Sequence, residues 1–352
     1  MSQNQITKGM ILGAGLGTRL LPITERFPKP LVPVLNLANL LHTVALFRRN
    51  GIHEIVVNLF HLPERIEEFV KEFEHTHFHL AFSKESTLLG TGGGVKHAEA
   101  FFQRKPFVLA NCDFISNLNI EALIQFHLAN KSWATMALMQ DAERQKLYSS
   151  VGVDEKFQIC SLPKKRTHEP TRTGIFTGVH VLDPEIFSFL EDRPSGINEI
   201  LYPALMEKHP ERARGFFVDN AFWFDTGDMP ALWQSSMRLL DLLSDKSSGL
   251  LSALCSYGPA YQECAPGIWI TQKTQIPSTV KVTGPVMIGE GCSFESGVVV
   301  GPHAVIGNGV TLSKNCRVQN SVVLSSTTVP AEKRLSGIIF FEGREYRAQT
   351  LG

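Results

Sequence analysis

Short apolar runs alternate with amphipathic stretches along the first two-thirds of the chain. Residues 8–12 and 54–58 predict buried strands, and residues 37–49 repeat apolar side chains at helical spacing. The same criteria predict helices from Pro63, over 94–102, over 119–129 and from Pro230 to 243, strands at 78–82, 107–110, 134–139, 176–182 and 222–224, and a hairpin over 151–162. Such alternation is typical of α/β folds, and we predict a Rossmann-like mixed, mostly parallel sheet with helices on both faces. Ligands of such a sheet bind at the carboxyl ends of its strands.

The last third of the chain follows a six-residue repeat. Apolar residues recur at every sixth position, and small or β-branched residues follow each of them four positions later; the apolar positions are 276, 282, 288, 294, 300, 306, 312, 318 and 324. Alternation in a strand has a period of two, so it does not explain this spacing. The repeat predicts a solenoid and resembles the left-handed parallel β-helices that are built from hexapeptides. We expect this short β-helix to serve packing, oligomer formation or regulation.

These patterns divide the chain into three parts. We predict a first domain over residues 1–243 and a linker, rich in Ser and Gly, over 244–260. The β-helix and a C-terminal tail would occupy residues 261–352. Residues 335–347 predict a hairpin around Glu342 and Gly343.

The composition excludes several classes of protein. Lys and Arg together number 34, as do Asp and Glu, so the chain lacks the basic excess of nucleic-acid and membrane-surface binders. No apolar run approaches the length of a membrane-spanning helix, and the first eight residues are polar. The six cysteines include no CxxC pair, which favours cytosolic thiols over a disulfide framework. We therefore expect a cytoplasmic globular protein.

A glycine-rich stretch follows the first predicted strand. Its glycines allow backbone N–H groups to approach an anion closely. The stretch lacks the spacing of a Walker loop, and Thr18 stands where a dinucleotide fingerprint needs its third small residue. Further along, Arg19 and Lys29 place two cations beside the loop, and the prolines on both sides of Lys29 restrict its backbone. A triphosphate needs such neutralisation before another anion can attack it.

The full spacing resembles the signature of the sugar-1-phosphate nucleotidyltransferases. The matching residues are Gly13-x-Gly15-x-Gly17-Thr18-Arg19-Leu20-x-Pro22-x-Thr24-x-x-x-Pro28-Lys29-Pro30. The resemblance implies that Arg19 and Lys29 are the catalytic cations. It also implies that the nucleotide lies against the loop formed by Gly13, Ala14, Gly15, Gly17 and Thr18.

A second glycine run resembles the segment of this family that holds the nucleobase. It comprises Lys84-Glu85 and Leu89-Gly90-Thr91-Gly92-Gly93-Gly94. A carboxylate at Glu85 suits the adjacent N–H donors of guanine better than the single donor of uracil. Gly90 and Thr91 are assigned to the nucleotide, and Gly92 and Gly93 to the sugar phosphate.

Two carboxylates match the metal ligands of the family. Asp113 follows the predicted strand 107–110, and Asp225 follows the apolar run 222–224. Two carboxylates from distant strands on one hard cation are what Mg²⁺ chemistry on phosphates requires. The resemblance therefore implies Mg²⁺ as the cofactor, bound by Asp113 and Asp225.

The sugar side departs from the family pattern. Where many members have Glu-Lys-Pro, this chain has Pro163-Lys164-Lys165, so either lysine could hold the sugar phosphate, or neither; Lys164 is our assignment. Where many have an Asn that touches the sugar, this chain has Phe176, followed by Thr177 and Gly178. Gly178 is assigned to the sugar site.

The favoured hypothesis is an enzyme that joins an NTP to a sugar 1-phosphate and releases pyrophosphate, with GTP and mannose 1-phosphate or a related sugar as substrates. Uridylyl transfer to N-acetylmuramate 1-phosphate or glucose 1-phosphate is an alternative, and a non-catalytic sugar-nucleotide sensor is another. An acyltransferase centred on His303 is least favoured. We expect a homo-oligomer that binds neither nucleic acid nor membranes.

Overall fold

The computed structural model describes residues 6–74 and 79–347. Its α-helices are α1 (Ile23–Arg26), α2 (Asn39–Arg49), α3 (Pro63–Glu74), α4 (Gly90–His97), α5 (Glu99–Phe102), α6 (Ile120–Ala129), α7 (Ile197–Lys208), α8 (Met229–Leu242) and α9 (Leu250–Tyr257). Short 3₁₀ helices lie at Thr18–Leu20, Lys29–Leu31, Arg144–Lys146, Pro184–Phe189, Pro210–Arg212 and Lys246–Ser248. Among the described residues, no helix is both long enough and apolar enough to cross a membrane.

The strands up to residue 225 are β1 (Lys8–Leu12), β2 (Pro33–Val34), β3 (Leu37–Ala38), β4 (Glu54–Leu59), β5 (Leu80–Lys84), β6 (Phe107–Asn111), β7 (Phe114–Ser116), β8 (Ala134–Met139), β9 (Ser150–Val153), β10 (Ile159–Leu162), β11 (Lys165–Arg166), β12 (Arg172–Leu182), β13 (Ala213–Phe217) and β14 (Trp223–Asp225). The later strands are β15 (Tyr261–Ala265), β16 (Ile268–Thr271), β17 (Lys281–Val282), β18 (Val286–Ile288), β19 (Ser293–Phe294), β20 (Val299–Val300), β21 (Ala304–Ile306), β22 (Thr311–Leu312), β23 (Arg317–Gln319), β24 (Ser321–Val323), β25 (Thr328–Val329), β26 (Arg334–Ser336), β27 (Ile338–Phe341) and β28 (Arg344–Arg347).

The chain divides into two compact units, each built from three stretches of sequence. Unit 1 comprises Met1–Leu16, Leu46–Cys112 and Leu118–Trp223. Unit 2 comprises Gly17–Ala45, Asp113–Asn117 and Phe224–Gly352. The glycine-rich loop thus begins in unit 1 and ends in unit 2. The domain boundaries at residues 243 and 261 stay a prediction.

Unit 1 is built around a mixed sheet. Strand β1 lies between β4 and β6, with β5 beyond β4, and all of these pairs are parallel. Strand β12 then pairs with β6, β8 and β9 in antiparallel fashion, and β13 pairs with β8 in parallel. The predicted α/β class is confirmed, although the parallel character is concentrated in the first half of the sheet. A stack of Phe102, Phe107 and Phe187 rings lies in its core.

Several helices differ from the prediction because tertiary packing outweighs local helix propensity. Helix α4 begins at Gly90 instead of residue 94, within a glycine run that disfavours helices. Part of the predicted linker 244–260 is helical: α9 forms there because Leu250 and Leu254 are buried. Helix α7, which contains Pro203, was not predicted at all.

Unit 2 contains the predicted β-helix. Its parallel strands form three sheets, ordered β16-β18-β21-β24-β27, β17-β20-β23-β26 and β19-β22-β25, as expected for three-sided coils. The antiparallel pair β27–β28 joins Phe341 to Arg344 through Glu342 and Gly343, which confirms the predicted hairpin.

The hexad register holds until Val318 and then shortens by one residue. Val286 pairs with Ala304, 18 residues later, whereas Ala304 pairs with Ser321, only 17 residues later. Val323 therefore fills the inner core in place of the predicted Leu324, and Thr327 is buried at the position that the strict period gave to Thr328, which is exposed. The strict period was wrong at this end because stacking depends on which residues pair between coils.

Within unit 2, the β-helix contacts the segment Gly17–Ala45, which carries Arg19 and Lys29. Asn36, in the turn between β2 and β3, donates from Nδ2 to the carbonyl of Ile306 at 2.9 Å. Trp233 of α8 donates from Nε1 to the carbonyl of Asn320 at 2.7 Å. The β-helix thus anchors both helix α8 and the turn that follows Lys29.

Candidate functional site

Gly17 sets the shape of the signature loop in unit 2. Its φ of 65° lies in the left-handed region that favours glycine. A Cβ at this position would lie 2.7 Å from Cγ2 of Thr24, whose hydroxyl donates to the Gly17 carbonyl at 3.0 Å. The chain therefore turns at Gly17 into the 3₁₀ helix Thr18–Leu20 and leaves Thr18 and Arg19 exposed.

The four predicted charged residues of unit 2 converge. Lys29 Nζ lies 2.5 Å from Asp113 Oδ2, and each side chain is 17% exposed. A Cβ on Gly227 would lie 2.9 Å from Arg19 Nη2, 3.0 Å from Asp225 Oδ1 and 3.2 Å from Asp113 Oδ2. Residues far apart in the sequence thus surround the bare Cα of Gly227. Any larger residue at that position would fill the space between them.

Backbone hydrogen bonds fix the two carboxylates. Asp113 follows β6, and its carbonyl accepts from the Thr226 N–H at 2.8 Å. Asp225 ends β14, and its Oδ1 accepts from the Gly227 N–H at 2.8 Å. The Asp225 carbonyl accepts from the Ser235 hydroxyl at 2.6 Å. The segments of Asp113 and Asp225 are therefore tied directly to each other.

This arrangement fits a divalent cation that also contacts phosphate. Asp225 Oδ1 and Asp113 Oδ2 lie 3.0 and 3.2 Å from the position that a Cβ on Gly227 would occupy, so both carboxylates face the same space. Within the described residues, no group of three or more His, Cys, Asp or Glu side chains forms a metal site. Mg²⁺ is usually held by one or two carboxylates, with water and substrate phosphates as its other ligands. The donor set suits that mode.

Sequence reasoning missed residues that support this cluster. Asp228 caps α8 through the Ala231 N–H and lies 3.9 Å from Arg19 Nη1. Thr226 is fully buried and donates from its hydroxyl to Asn39 Oδ1 at 3.1 Å. Asp228 was visible as a possible N-cap before the predicted helix. The role of Asn39, by contrast, depends on a contact across 187 positions.

In unit 1, a buried hydrogen-bond network joins the loop after β1 to Asn58 and Glu85. The Gly13 N–H donates to Asn58 Oδ1 at 2.9 Å, and Asn58 Nδ2 donates to Glu85 Oε1 at 2.6 Å. The other Glu85 oxygen accepts from the Leu89 N–H at 2.9 Å. Asn58 is 2% exposed and Glu85 is 7% exposed. Glu85 thus connects the loop after β1, through Asn58, with the segment before α4, through Leu89. Binding of the base by Glu85 stays a prediction.

The second glycine run packs against protein. The Gly92 N–H donates to the Ser195 carbonyl at 2.8 Å, and Thr91 Oγ1 accepts from the Ile197 N–H at 2.9 Å. A Cβ on Gly93 would lie 2.3 Å from the carbonyl oxygen of Arg193, and one on Gly90 would lie 2.6 Å from that of Ser195. Close packing accounts for these glycines, and ligand contacts through Gly90 to Gly93 remain predictions. In the first loop, Ala14 is buried whereas Gly15 is exposed.

A cavity of about 480 Å³ lies beside strand β12 in unit 1. Its lining residues are Met136, Tyr148, Ser149, Val151, Leu162, Pro163, Lys164, Lys165, Phe176, Asn198, Glu199 and Pro203. Lys165 donates to the Pro203 carbonyl and pairs with Glu207, whereas Lys164 is exposed. Gly178, also on β12, has a φ of 87°, and a Cβ there would lie 3.2 Å from Asn111 Nδ2.

Behind the cavity, His180 is buried and neutral. Its ring lies 4.5 Å from that of Phe176, and its Nδ1 is 2.7 Å from the Tyr202 hydroxyl. Burial lowers the pKa of His180 to about 3 and raises the pKa of Tyr202. The wall behind Phe176 therefore carries no charge at neutral pH.

Known protein families match both the first two-thirds of the chain and the β-helix. The Nucleotidyl transferase family model matches residues 8–241, and the GMPPB C-terminal domain model matches residues 282–343. The UTP–glucose-1-phosphate uridylyltransferase of Synechocystis sp. is 28% identical over 95% of this chain and 87% of its own length. Mannose-1-phosphate guanylyltransferase 1 of Arabidopsis thaliana is 30% identical over 94% of this chain and 90% of its own length.

Solved structures show the same fold. The crystal structure of HddC from Yersinia pseudotuberculosis complexed with GMP-PN has a TM-score of 0.54 and 22% identity, and it covers 66% of this chain and 100% of that one. The matched family model spans most of unit 1 and the whole charged cluster around Gly227. Taken together with that cluster, these likenesses show that the chain belongs to the sugar-1-phosphate nucleotidyltransferase family.

Proposed function

We propose that this chain transfers a guanylyl group from GTP to mannose 1-phosphate or a related sugar 1-phosphate, with Mg²⁺ as its divalent cation. The observation that carries the proposal is the convergence of Arg19, Asp113 and Asp225 on the bare Cα of Gly227, with Lys29 bonded to Asp113. The guanylyl assignment is supported by the Arabidopsis relative and by the matching C-terminal domain. The Synechocystis relative supports uridylyl transfer to glucose 1-phosphate as the second candidate.

The reaction needs charge neutralisation more than covalent chemistry. A phosphate oxygen of the sugar 1-phosphate attacks the α-phosphorus of GTP, the bond between the α- and β-phosphates breaks, and pyrophosphate leaves. The exposed Arg19 guanidinium binds the outgoing phosphates, and Lys29 stabilises the α-phosphoryl group. Asp113 and Asp225 hold Mg²⁺, which offsets charge on the phosphates when it is bound. Divalent metal ions are general in this family.

Unit 1 supplies the shape of the nucleotide loop in this proposal. The Gly13 N–H is already used by Asn58, so the N–H groups of Ala14 and Gly15 are assigned to the phosphates. Glu85 then acts as a positioning residue that holds the loop through Asn58. Lys164 is assigned to the sugar phosphate, because Lys165 is engaged by Glu207 and Pro203. The cytoplasmic location and the homo-oligomer remain predictions.

The test is a pyrophosphate-release assay with each of the four common nucleoside triphosphates against a panel of sugar 1-phosphates. We expect the highest kcat/KM with GTP and mannose 1-phosphate or a sugar related to it, and loss of turnover when EDTA is added. Preference for UTP would support the uridylyl candidate instead. Nucleotide-sugar binding without turnover in any combination would overturn the enzymatic proposal and favour a sensor.

A further inference from the structure

The cavity beside β12 combines an apolar floor with a polar edge. Met136, Val151, Leu162 and Phe176 contribute apolar side chains. The polar lining comprises Tyr148, Ser149, Lys164, Lys165, Asn198 and Glu199. A sugar 1-phosphate with a hydroxyl on every free carbon would place some of those hydroxyls against groups that cannot form hydrogen bonds. Burying an unpaired hydroxyl is unfavourable, whereas burying a methyl group there is favourable.

Phe176 is held in place at this floor. Its ring packs against that of His180, and His180 is hydrogen-bonded to the fully buried Tyr202. Because His180 and Tyr202 are buried, moving the Phe176 ring toward them would require close-packed side chains to shift. The apolar floor is therefore a fixed feature of the cavity.

The polar edge offers hydrogen-bonding and charged groups to a ligand. Asn198 Oδ1 is buried and accepts no hydrogen bond from any residue that the structure describes. A buried acceptor without a donor costs stability, and an O–H or N–H group of a ligand would satisfy it. Lys164, which forms no ion pair within the described residues, supplies the cation for a phosphate.

We propose that this cavity selects sugar 1-phosphates that carry an apolar substituent, such as the methyl group of a 6-deoxy or N-acetyl sugar, and that Phe176 determines this preference. The phosphate lies at Lys164, a ring O–H or N–H donates to Asn198, and the apolar substituent packs on Phe176. This inference rests on the proposed function and narrows its acceptor.

The experiment compares matched acceptors that differ at one substituent: mannose 1-phosphate with its 6-deoxy analogue, and glucose 1-phosphate with its 2-acetamido analogue. We expect the better of the two analogues to exceed its parent in kcat/KM by about 10-fold, the scale on which a hydrophobic pocket discriminates one group. Phe176→Asn should bring that ratio to one or below. Phe176→Leu, which keeps an apolar side chain, should retain the preference.

Phe157→Asn is the matched control, because Phe157 is exposed in the β9–β10 turn at a φ of 60°, which Asn adopts readily. Preference for both parent sugars in the wild type, or an unchanged ratio in Phe176→Asn, overturns the inference while leaving nucleotidyl transfer intact. Calorimetric binding of each acceptor separates the two proposals. Preferential binding of an analogue without any pyrophosphate release would retain the selective cavity and reject the transfer reaction.

Discussion

Residues 13–17 and residues 90–94 are both rich in glycine, yet the structure uses the two stretches in opposite ways. In the first, Gly15 is exposed and Gly17 makes the turn that presents Arg19. In the second, Gly92 and Gly93 are buried against the backbone of residues 193–197. A missing side chain makes room either for a ligand or for another part of the protein, and composition does not distinguish these uses.

The polar groups of the two units also differ in whether their partners are other protein groups. In unit 1, Gly13, Asn58 and Glu85 satisfy one another in a buried network. In unit 2, Asp113 and Asp225 face a bare Cα together with an exposed arginine. We therefore expect changes in the unit 2 cluster to abolish activity while the fold persists, and changes in the unit 1 glycines to destabilise the fold first.

The largest expected effect is on turnover. Asp113→Asn and Asp225→Asn should each lower kcat by about 1,000-fold, because a metal ligand contributes several kcal/mol of transition-state stabilisation. Their melting temperatures should stay near that of the wild type, since Asn retains a hydrogen-bonding oxygen. Asp241→Asn, which changes an exposed carboxylate of unit 2 that pairs with His303, is the control. Near-normal turnover in both variants would contradict the metal assignment.

The next effect is on stability. Gly93→Ala should lower the free energy of unfolding by about 2 kcal/mol, since overpacking against the Arg193 carbonyl outweighs the gain in helix propensity. Scanning calorimetry would show this as a lower melting temperature. Gly343→Asn replaces a glycine with a φ of 76° and no atom within 4 Å of its Cβ position, so it should be nearly neutral. Equal melting temperatures for the two variants would refute the packing role of Gly93.

Substitutions of the two lysines at the cavity should have different effects on KM for the sugar 1-phosphate. Lys164→Met should raise KM for the sugar 1-phosphate by about 10- to 100-fold, the strength of a hydrogen bond to a charged group. Lys165→Met should change KM less, because Lys165 is bonded to Glu207 and Pro203. Steady-state kinetics at saturating GTP measure both effects. A larger rise in KM for Lys165→Met would reverse our assignment.

Acid should lower the stability of both units, because each contains a buried histidine with a lowered pKa. Burial lowers the pKa of His180 to about 3 and that of His42 to about 4, below the value of about 6.5 in the unfolded chain. As the pH falls below 6.5, the unfolded state binds protons that the folded state does not, so stability falls until the folded pKa is reached. Each histidine should cost about 2 kcal/mol at pH 5.

Denaturant titrations at pH 7.5 and pH 5 would measure this dependence. His180→Gln and His42→Gln should each reduce the difference between the two conditions, whereas His53→Gln, at an exposed position, should leave it unchanged. If the difference persists in both buried-histidine variants, other groups must account for the loss of stability in acid.

Local patterns predicted the elements that depend on local physics. The strand Lys8–Leu12 and the β-helix repeat follow from hydrophobic periodicity, and the hairpin at Glu342 and Gly343 follows from turn chemistry. Helices α7 and α9 were missed because Pro203 in one and the Ser- and Gly-rich context of the other hide their buried faces. The six-residue period was extended unchanged to Leu324 and Thr328 because a one-residue shortening is invisible until the coils pair.

By itself, the sequence determined which chemistry the chain carries: the spacing from Gly13 to Lys29 and the carboxylates at 113 and 225 identify a nucleotidyltransferase. Only the tertiary structure decided which of these groups lie together and which are already paired with other parts of the protein. Glu85 and the glycines at 92 and 93 are occupied by protein contacts, whereas Arg19 and two carboxylates converge on Gly227. The physical reason is that the partner of each polar group comes from a distant part of the chain, and a sequence pattern records residue type and spacing but not which groups the fold has already paired.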